Sequence, residues 1–314
     1  MDVVTFGETM VLFTPQTAGP LRFVNQFAKT IAGAESNVAI ALARLGHQVS
    51  WVSRLGNDEF GLYIRNFIRG EGVDTSRVVF DDEHPTAVFF KEQQVGQETK
   101  VYYYRKGSAA SFLTPDDLDE QHLAQAKFLH VTGITSALSD SCLETTEHAV
   151  RLARKHDVTV VFDPNIRLKL WPKERARQVL NRIAAQVDVV MPGMEEGALL
   201  TGAAAPEDIS QRLLAQGAKA VVIKLGERGA FYSTAGGLQE YVDGFPVKQV
   251  VDPIGAGDGF AAGFLSGLIR GWSYREAVRL GNRVGAFAVT VSGDVEGYPY
   301  WSQIAPDKQD EIYR

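Results

Sequence analysis

The sequence predicts an α/β fold built around a largely parallel sheet, with a small antiparallel appendage. Two observations carry this. Short β-branched runs at Val3–Phe6, Val49–Val52, Phe128–Val131, Val158–Phe162, Val187–Val190 and Ala220–Ile223 alternate with helix-period segments at 35–45, 58–70, 142–155, 173–184 and 205–215. Such alternation is the signature of βα units. Two stretches break the rhythm, Leu21–Thr30 and Thr86–Tyr104; in the second, Ala87-Val88-Phe89-Phe90 and Lys100-Val101-Tyr102-Tyr103-Tyr104 flank a polar, Gly-bearing turn at 94–98. That pattern reads as a β-hairpin. Because hairpins cannot supply parallel crossovers, these strands are expected to leave the main sheet at about 11–30 and 86–105 and form a lid.

Composition limits the function classes. With 314 residues, 45% hydrophobic and 22% charged, the chain can bury a large core, and 1–314 reads as one domain. A formal charge of -6 provides no basic footprint for nucleic acid. Anionic ligands must therefore be met by a few placed cations. A single cysteine, Cys142, excludes a disulfide framework, and the six scattered histidines have no metal-sharing spacing. The N-terminal segment lacks a basic region followed by a long apolar run, and the apolar stretch from Phe260 to Ile269 is too short to span a membrane. These features give the expectation of a cytoplasmic protein.

The most informative segment is Asp252-Pro253-Ile254-Gly255-Ala256-Gly257-Asp258, followed by an apolar helix starting near Gly257. A helix N-terminus preceded by glycines presents unpaired N–H groups and a favourable dipole to an anion. A carboxylate in its first turn adds a proton acceptor, which is the pairing phosphoryl transfer requires. On these seven residues, Asp258 reads equally well as a helix cap. Gly259, Gly263 and Gly267 recur every fourth residue and point to close helix packing. No Walker A segment is present, and Gly255-x-Gly257-x-x-Phe260 lacks the third glycine of a dinucleotide fingerprint.

Taken together, Asp252–Asp258, Gly33-Ala34-x-x-Asn37-Val38-Ala39, Ala43-Arg44-Leu45-Gly46 and Gly56-x-Asp58-x-x-Gly61 resemble the signatures of the PfkB (ribokinase-like) carbohydrate kinases, in family order across nearly the whole chain. The resemblance implies a three-layer α/β/α sandwich with a β lid, ATP with Mg2+ as phosphoryl donor, Gly255, Ala256 and Gly257 as an anion hole, and Asp258 as the catalytic base. Where many members carry Asn-x-x-Glu near magnesium, this chain has Gly193-Met194-Glu195-Glu196, so only Glu196 carries over, acting on the metal through water.

In open α/β sheets ligands lie beyond the carboxyl ends of the strands. Tyr103-Tyr104-Arg105-Lys106-Gly107-Ser108-Ala109 and Asp163-Pro164-Asn165-Ile166-Arg167 follow strands and contain arginines suited to a carboxylate. With Ala32–Asn37, Leu170-Trp171 and Ser292-Gly293-Asp294-x-Glu296-Gly297, they resemble the 2-keto-3-deoxygluconate kinases within the family. By carry-over, Gly33, Ala34 and Asn37 hold sugar hydroxyls, Phe89, Tyr103 and Ile134 line the sugar site, and Arg105 and Arg167 hold the keto-acid end. Asn165, Lys224, Gly226, Glu227, Gly229, Gly255, Gly257 and Asn282 are expected around the nucleotide. Asp252, Ile254 and Gly293 are expected around a monovalent cation, K+ in many members. The segment 224–229 also reads as a Gly-rich hairpin before the strand-like Ala230–Ser233. The lid edge suggests a homo-oligomer.

Overall fold

The computed structural model describes residues 1–92 and 100–305. The strands are β1 (Val3–Phe6), β2 (Met10–Pro15), β3 (Phe27–Ala32), β4 (Val49–Gly56), β5 (Val78–Asp81), β6 (Val88–Glu92), β7 (Lys100–Tyr104), β8 (Phe128–Thr132), β9 (Thr159–Asp163), β10 (Val189–Val190), β11 (Ala220–Lys224), β12 (Ala230–Thr234) and β13 (Gln239–Val242). The α-helices are α1 (Ala34–Arg44), α2 (Glu59–Gly70), α3 (Glu120–Ala124), α4 (Gly133–Leu138), α5 (Asp140–Lys155), α6 (Lys173–Ala184), α7 (Met194–Thr201), α8 (Pro206–Ala215), α9 (Ala256–Ile269), α10 (Tyr274–Ala288) and α11 (Trp301–Ile304). The turn expected at 94–98 lies outside the described residues.

Nine strands form one sheet in the order β13-β12-β11-β10-β9-β8-β1-β4-β5. From β11 to β5 every neighbouring pair is parallel, while β12 and β13 add an antiparallel edge. The reading of 224–229 as a hairpin turn thus agrees with the β11–β12 pairing.

Helices cover both faces of this sheet, so its strands are apolar on both sides. Side-chain alternation divides each strand between two cores. Val3 and Trp51 pack with Leu42 of α1, Ile64 of α2, Phe264 of α9 and Val278 of α10. Val4 and Phe162 pack with Ala149 of α5, Leu180 of α6 and Leu213 of α8. Burying each large side chain contributes about 1.5–3 kcal/mol. The glycines of α9 serve packing: a Cβ at Gly263 would lie 2.7 Å from the Leu280 carbonyl oxygen, and one at Gly267 2.5 Å from the Ala277 Cα.

A second sheet has the order β3-β2-β6-β7. It consists of two antiparallel strand pairs joined by a parallel contact between β2 and β6, with Leu12 opposite Phe89. The parallel contact has a topological cause. β2 follows β1 and β6 follows β5, two strands running the same way in the large sheet, so both first strands leave it in the same direction. Leu21–Phe23, within a stretch expected to be extended, forms a 3-10 turn before β3. The Leu21 N–H donates to Glu92 Oε2 at 3.0 Å, anchoring this turn to β6.

Asp58 explains the spacing Gly56-x-Asp58-x-x-Gly61. Its Oδ1 accepts the Gly61 N–H and caps α2, while Oδ2 accepts the Thr86 N–H just before β6, both at 2.8 Å. One carboxylate therefore ties a main-sheet helix to the root of the small sheet.

Candidate active site

Helix α9 begins at Gly255, whose φ of +79° places it in the left-handed region. A Cβ there would run into the Asp294 carbonyl, so glycine suits both the backbone conformation and the close approach. The Tyr298 hydroxyl donates to the Gly255 carbonyl at 2.8 Å and holds the turn from beneath. No side chain caps this helix. Among the described residues the N–H groups of Gly257 and Asp258 meet no protein acceptor, and they lie at the positive end of the helix dipole, where negative charge is favoured.

The Asp258 side chain is half-buried beside these amides. Asn37, fully buried in the first turn of α1, donates from Nδ2 to Asp258 Oδ2 at 2.8 Å. Asn165 Nδ2 stands 3.5 Å from Oδ1. Asn165 has a φ of +35°, a conformation asparagine tolerates better than most residues. Burial pushes the Asp258 pKa from 3.8 up to about 7, with the hydrogen bond from Asn37 opposing, the charges of Asp163 and Asp294 adding to the rise and Arg167 opposing it. A carboxylate so tuned can accept a proton near neutrality. The Asp258 side chain is thus not the cap of its own helix.

Asp163 ends β9 and Lys224 ends β11, and Lys224 Nζ lies 2.6 Å from Asp163 Oδ2. The ammonium sits under the amide turn, 3.8 Å from where a Gly257 Cβ would be. Burial opposes its charge, but Asp163, Glu196 and Asp258 outweigh that and raise its pKa, keeping it cationic. Lys224, Gly226, Glu227, Gly229, Gly257 and Asn282 line a cavity of about 680 Å³. Its remaining wall is largely apolar, from Phe245, Pro246, Val247, Val250, Phe260 and Val289. Asn282 is fixed there by donating to the carbonyls of Val242 and Asp243 at 3.1 and 2.9 Å. Six of the eight residues expected around the nucleotide therefore share one cavity. Gly255 forms the turn beside it, whereas Asn165 belongs with Asp258.

On the other side of Asp258, Gly33 caps α1 and Ala34 opens it. Phe89 is buried and stacked on Tyr103, with ring centroids 5.4 Å apart. Arg105 lies 5.6 Å from the Tyr103 ring and is ion-paired with buried Glu8, which also accepts from Ser108 Oγ at 2.6 Å. Lys169 approaches the same ring at 5.9 Å, so the segment after β9 meets the small sheet here. Arg167 is exposed, within electrostatic range of Asp258. Ile134 donates its N–H to Thr132 Oγ1 at 3.1 Å, in the cap of α4.

Glu196 is more than a solvated first-turn acid. Its Oε1 accepts from the Ile166 N–H and its Oε2 from the Gly193 N–H, both at 2.7 Å. It thus caps α7 and fixes the backbone between Asn165 and Arg167. Each oxygen keeps a lone pair for water, which fits a magnesium ion held mainly by phosphates and water. Among the described residues no group of three or more His, Cys, Asp or Glu could cage a metal.

The expected monovalent-cation residues fit less well. Asp252 Oδ1 accepts from the Ile254 N–H at 3.1 Å, and the Lys91 ammonium lies 3.5 Å from Asp252 Oδ2. Gly293, at φ +115°, is packed against the Glu296 carboxylate. A protein cation already neutralises the carboxylate expected to bind a free one.

The sequence reading overlooked Lys91, Lys169, Glu8 and the Phe245–Val250 wall. Of these, only Lys91 left a signal, as a charge alternating with Phe89 in an apolar strand. Asp163 and Asp294 lay within the quoted motifs, but without assigned partners.

Residues 1–300 match the model of the pfkB family carbohydrate kinases, and the chain belongs to that family of sugar kinases. Within it, 2-dehydro-3-deoxygluconokinase of Bacillus subtilis (strain 168) is 44% identical over 307 residues, covering 97% of this chain and 94% of the relative. The enzyme of the same name from Thermoproteus tenax is 37% identical over 318 residues, covering 100% of this chain and 94% of the relative. Among solved structures, a PfkB protein from Polaromonas sp. JS666 superposes with a TM-score of 0.88 at 43% identity, covering 96% of this chain and 98% of the other. A chain provisionally described as ribokinase II from E. coli, in complex with ATP and Mg2+, gives 0.89 at 28% identity, covering 96% of each. The fold predicted from the strand and helix pattern is the fold of these kinases. Among the described residues no helix is long and apolar enough to cross a membrane.

The raised pKa of Asp258 has a consequence for stability. A carboxylate whose pKa rises on folding stabilises the native state while protonated, and that contribution is lost as pH climbs from the unfolded value of 3.8 to about 7. Asp258→Asn should therefore melt above wild type at about pH 8, with the gap closing toward about pH 4. Calorimetry across that range checks this; a gap that widens in acid contradicts it.

Proposed function

We propose that this protein transfers the γ-phosphoryl group of ATP to the C6 hydroxyl of 2-keto-3-deoxygluconate, giving 2-keto-3-deoxy-6-phosphogluconate. The observation that carries the chemistry is a carboxylate with its pKa near neutrality, set beside unpaired helix amides that border a largely apolar cavity. The shared name of the two relatives and the clustering of Arg105 and Lys169 around the Tyr103 ring support the acidic sugar.

In this reading the nucleotide occupies the apolar cavity near Asn282, and its phosphates run past Gly226 and Gly229 to Lys224. Glu196 would hold the water shell of a magnesium ion bound with ATP, which would supply charge neutralisation at the phosphates. The sugar lies between Gly33, Ala34 and Ile134 on one side and Phe89 and Tyr103 on the other. The buried Asn37 Oδ1, which makes no hydrogen bond within the protein, accepts from a sugar hydroxyl. Arg105 and Arg167 face the keto-acid end. Asp258 takes the proton of the attacking hydroxyl while the amides of the Gly255–Asp258 turn stabilise the migrating phosphoryl. The small sheet acts as a lid that excludes water. Transfer is direct and needs no phosphoenzyme.

Asp258→Asn should bind both ligands yet lose roughly 10²- to 10⁴-fold in turnover, the usual worth of a general base. ADP release and calorimetric binding measure the two effects. Wild-type kcat/KM should fall as pH drops through about 7, because the base must be ionised. Near-normal turnover by the pure variant would exclude the assignment.

Arg167→Ala should raise KM for the sugar acid about tenfold or more while leaving that for ATP unchanged, as expected when a charge-assisted contact is lost. A coupled assay with 2-keto-3-deoxygluconate, 2-keto-3-deoxygalactonate, fructose and ribose tests the same point. Preference for fructose would transfer the reading to the fructokinases.

The small sheet exposes Tyr102, Tyr103 and Tyr104 on its edge strand β7, so we also propose pairing of two copies through the lid in a cytoplasmic homo-oligomer. Light scattering at micromolar concentration should give at least a dimer; a monomer refutes it.

A further inference from the structure

Lys91 is a buried cation on the lid sheet that the proposed reaction does not use. It follows Phe89 by two positions in β6 and points to the same face; Phe89 is 5% exposed and Lys91 4%. An ammonium out of water is tolerated only when paired. Its partners lie across the cleft: Asp252 Oδ2 at 3.5 Å and Asp294 Oδ1 at 3.8 Å.

Both acids flank the amide turn. Asp252 opens it by accepting from the Ile254 N–H, and the Asp294 carbonyl packs where a Gly255 side chain would be. Asp294 is 7% exposed, and its Oδ1 makes no hydrogen bond within the protein, so the Lys91 charge is its main compensation. Asn37 donates to Asp258 and helps hold the Asp294 pKa down. Lys91 therefore pairs with two acids that flank the same turn as the proposed base, and Asp294 raises the pKa of Asp258.

We infer that Lys91 is a positioning residue that supplies from the lid the cation balancing Asp252 and Asp294, so that the Gly255–Asp258 turn keeps its geometry without a bound monovalent ion. A free cation at Asp252 would face the ammonium at close range, where like charges repel. The lid thereby joins the anion site by an ion pair as well as by its roof over the sugar. This deepens the kinase reading above and rests on it for its activity readout.

The test compares wild type with Lys91→Met in potassium chloride and in choline chloride at matched ionic strength, following ADP release and thermal melting. Wild type should show equal rates and equal melting temperatures in the two salts. Lys91→Met should lose roughly 10- to 100-fold in kcat in choline, the range expected when support for a reacting group is removed. Potassium or methylammonium should restore much of that loss and raise the variant's melting temperature. Potassium stimulation of wild type overturns the inference, as does a fully active variant in choline. A folded variant rescued by neither cation also overturns it. If Lys91→Met does not fold, Lys91→Arg should keep ion-independent activity, and loss of that independence decides against the inference. If wild type releases no ADP with any sugar, the kinase reading itself fails, while the melting comparison still tests the ion balance.

Discussion

Two oppositely directed constraints meet at the start of α9, and the rest of the cleft is arranged around them. The helix terminus offers unpaired N–H groups that favour negative charge, while burial and neighbouring acids make charge on Asp258 costly. Asn37 and Asn165 approach the carboxylate without adding charge, so it is oriented while its pKa stays near neutrality. A lysine in place of either asparagine would pull that pKa down and make a weaker base.

An acidic chain proposed to hold two anionic ligands needs cations, and here the three less exposed ones are supplied with acidic partners. Lys224 has Asp163, Arg105 has Glu8, and Lys91 lies between Asp252 and Asp294. Pairing lowers the cost of burying each charge and limits the rotamers it can adopt. Three of these residues, Lys224, Asp163 and Arg105, lie at or just beyond the carboxyl end of a strand. Lys91 comes from the small sheet and shows how strongly the two sheets depend on one another.

Much of the architecture could be read in one dimension. The six strands and five helices expected from periodicity recur within a few residues of their observed ends, because a parallel sheet buried on both faces demands apolar runs and its helices demand an apolar stripe. The glycine-flanked acid at 255–258 was equally legible, since anion sites at helix ends need glycine for close approach. The seven residues 252–258 by themselves left Asp258 balanced between cap and base, and only the wider family resemblance favoured the base; the structure shows that its side chain meets Asn37 from α1. Glu196 was expected only as an acid near a metal, yet both its oxygens accept backbone N–H groups from separate segments.

What the sequence determined by itself was the alternation of six strands with five helices, the departure of the small sheet and the identity of the residues at strand ends, because these follow from local periodicity and turn chemistry. What only the tertiary structure decided was partnership: Asn37 with Asp258, Asp163 with Lys224, and Lys91 with Asp252 and Asp294. Those pairs join residues between 61 and 221 positions apart. No local pattern encodes a charge's partner at such separations; it is set by which strand ends and helix termini the folded sheet brings together.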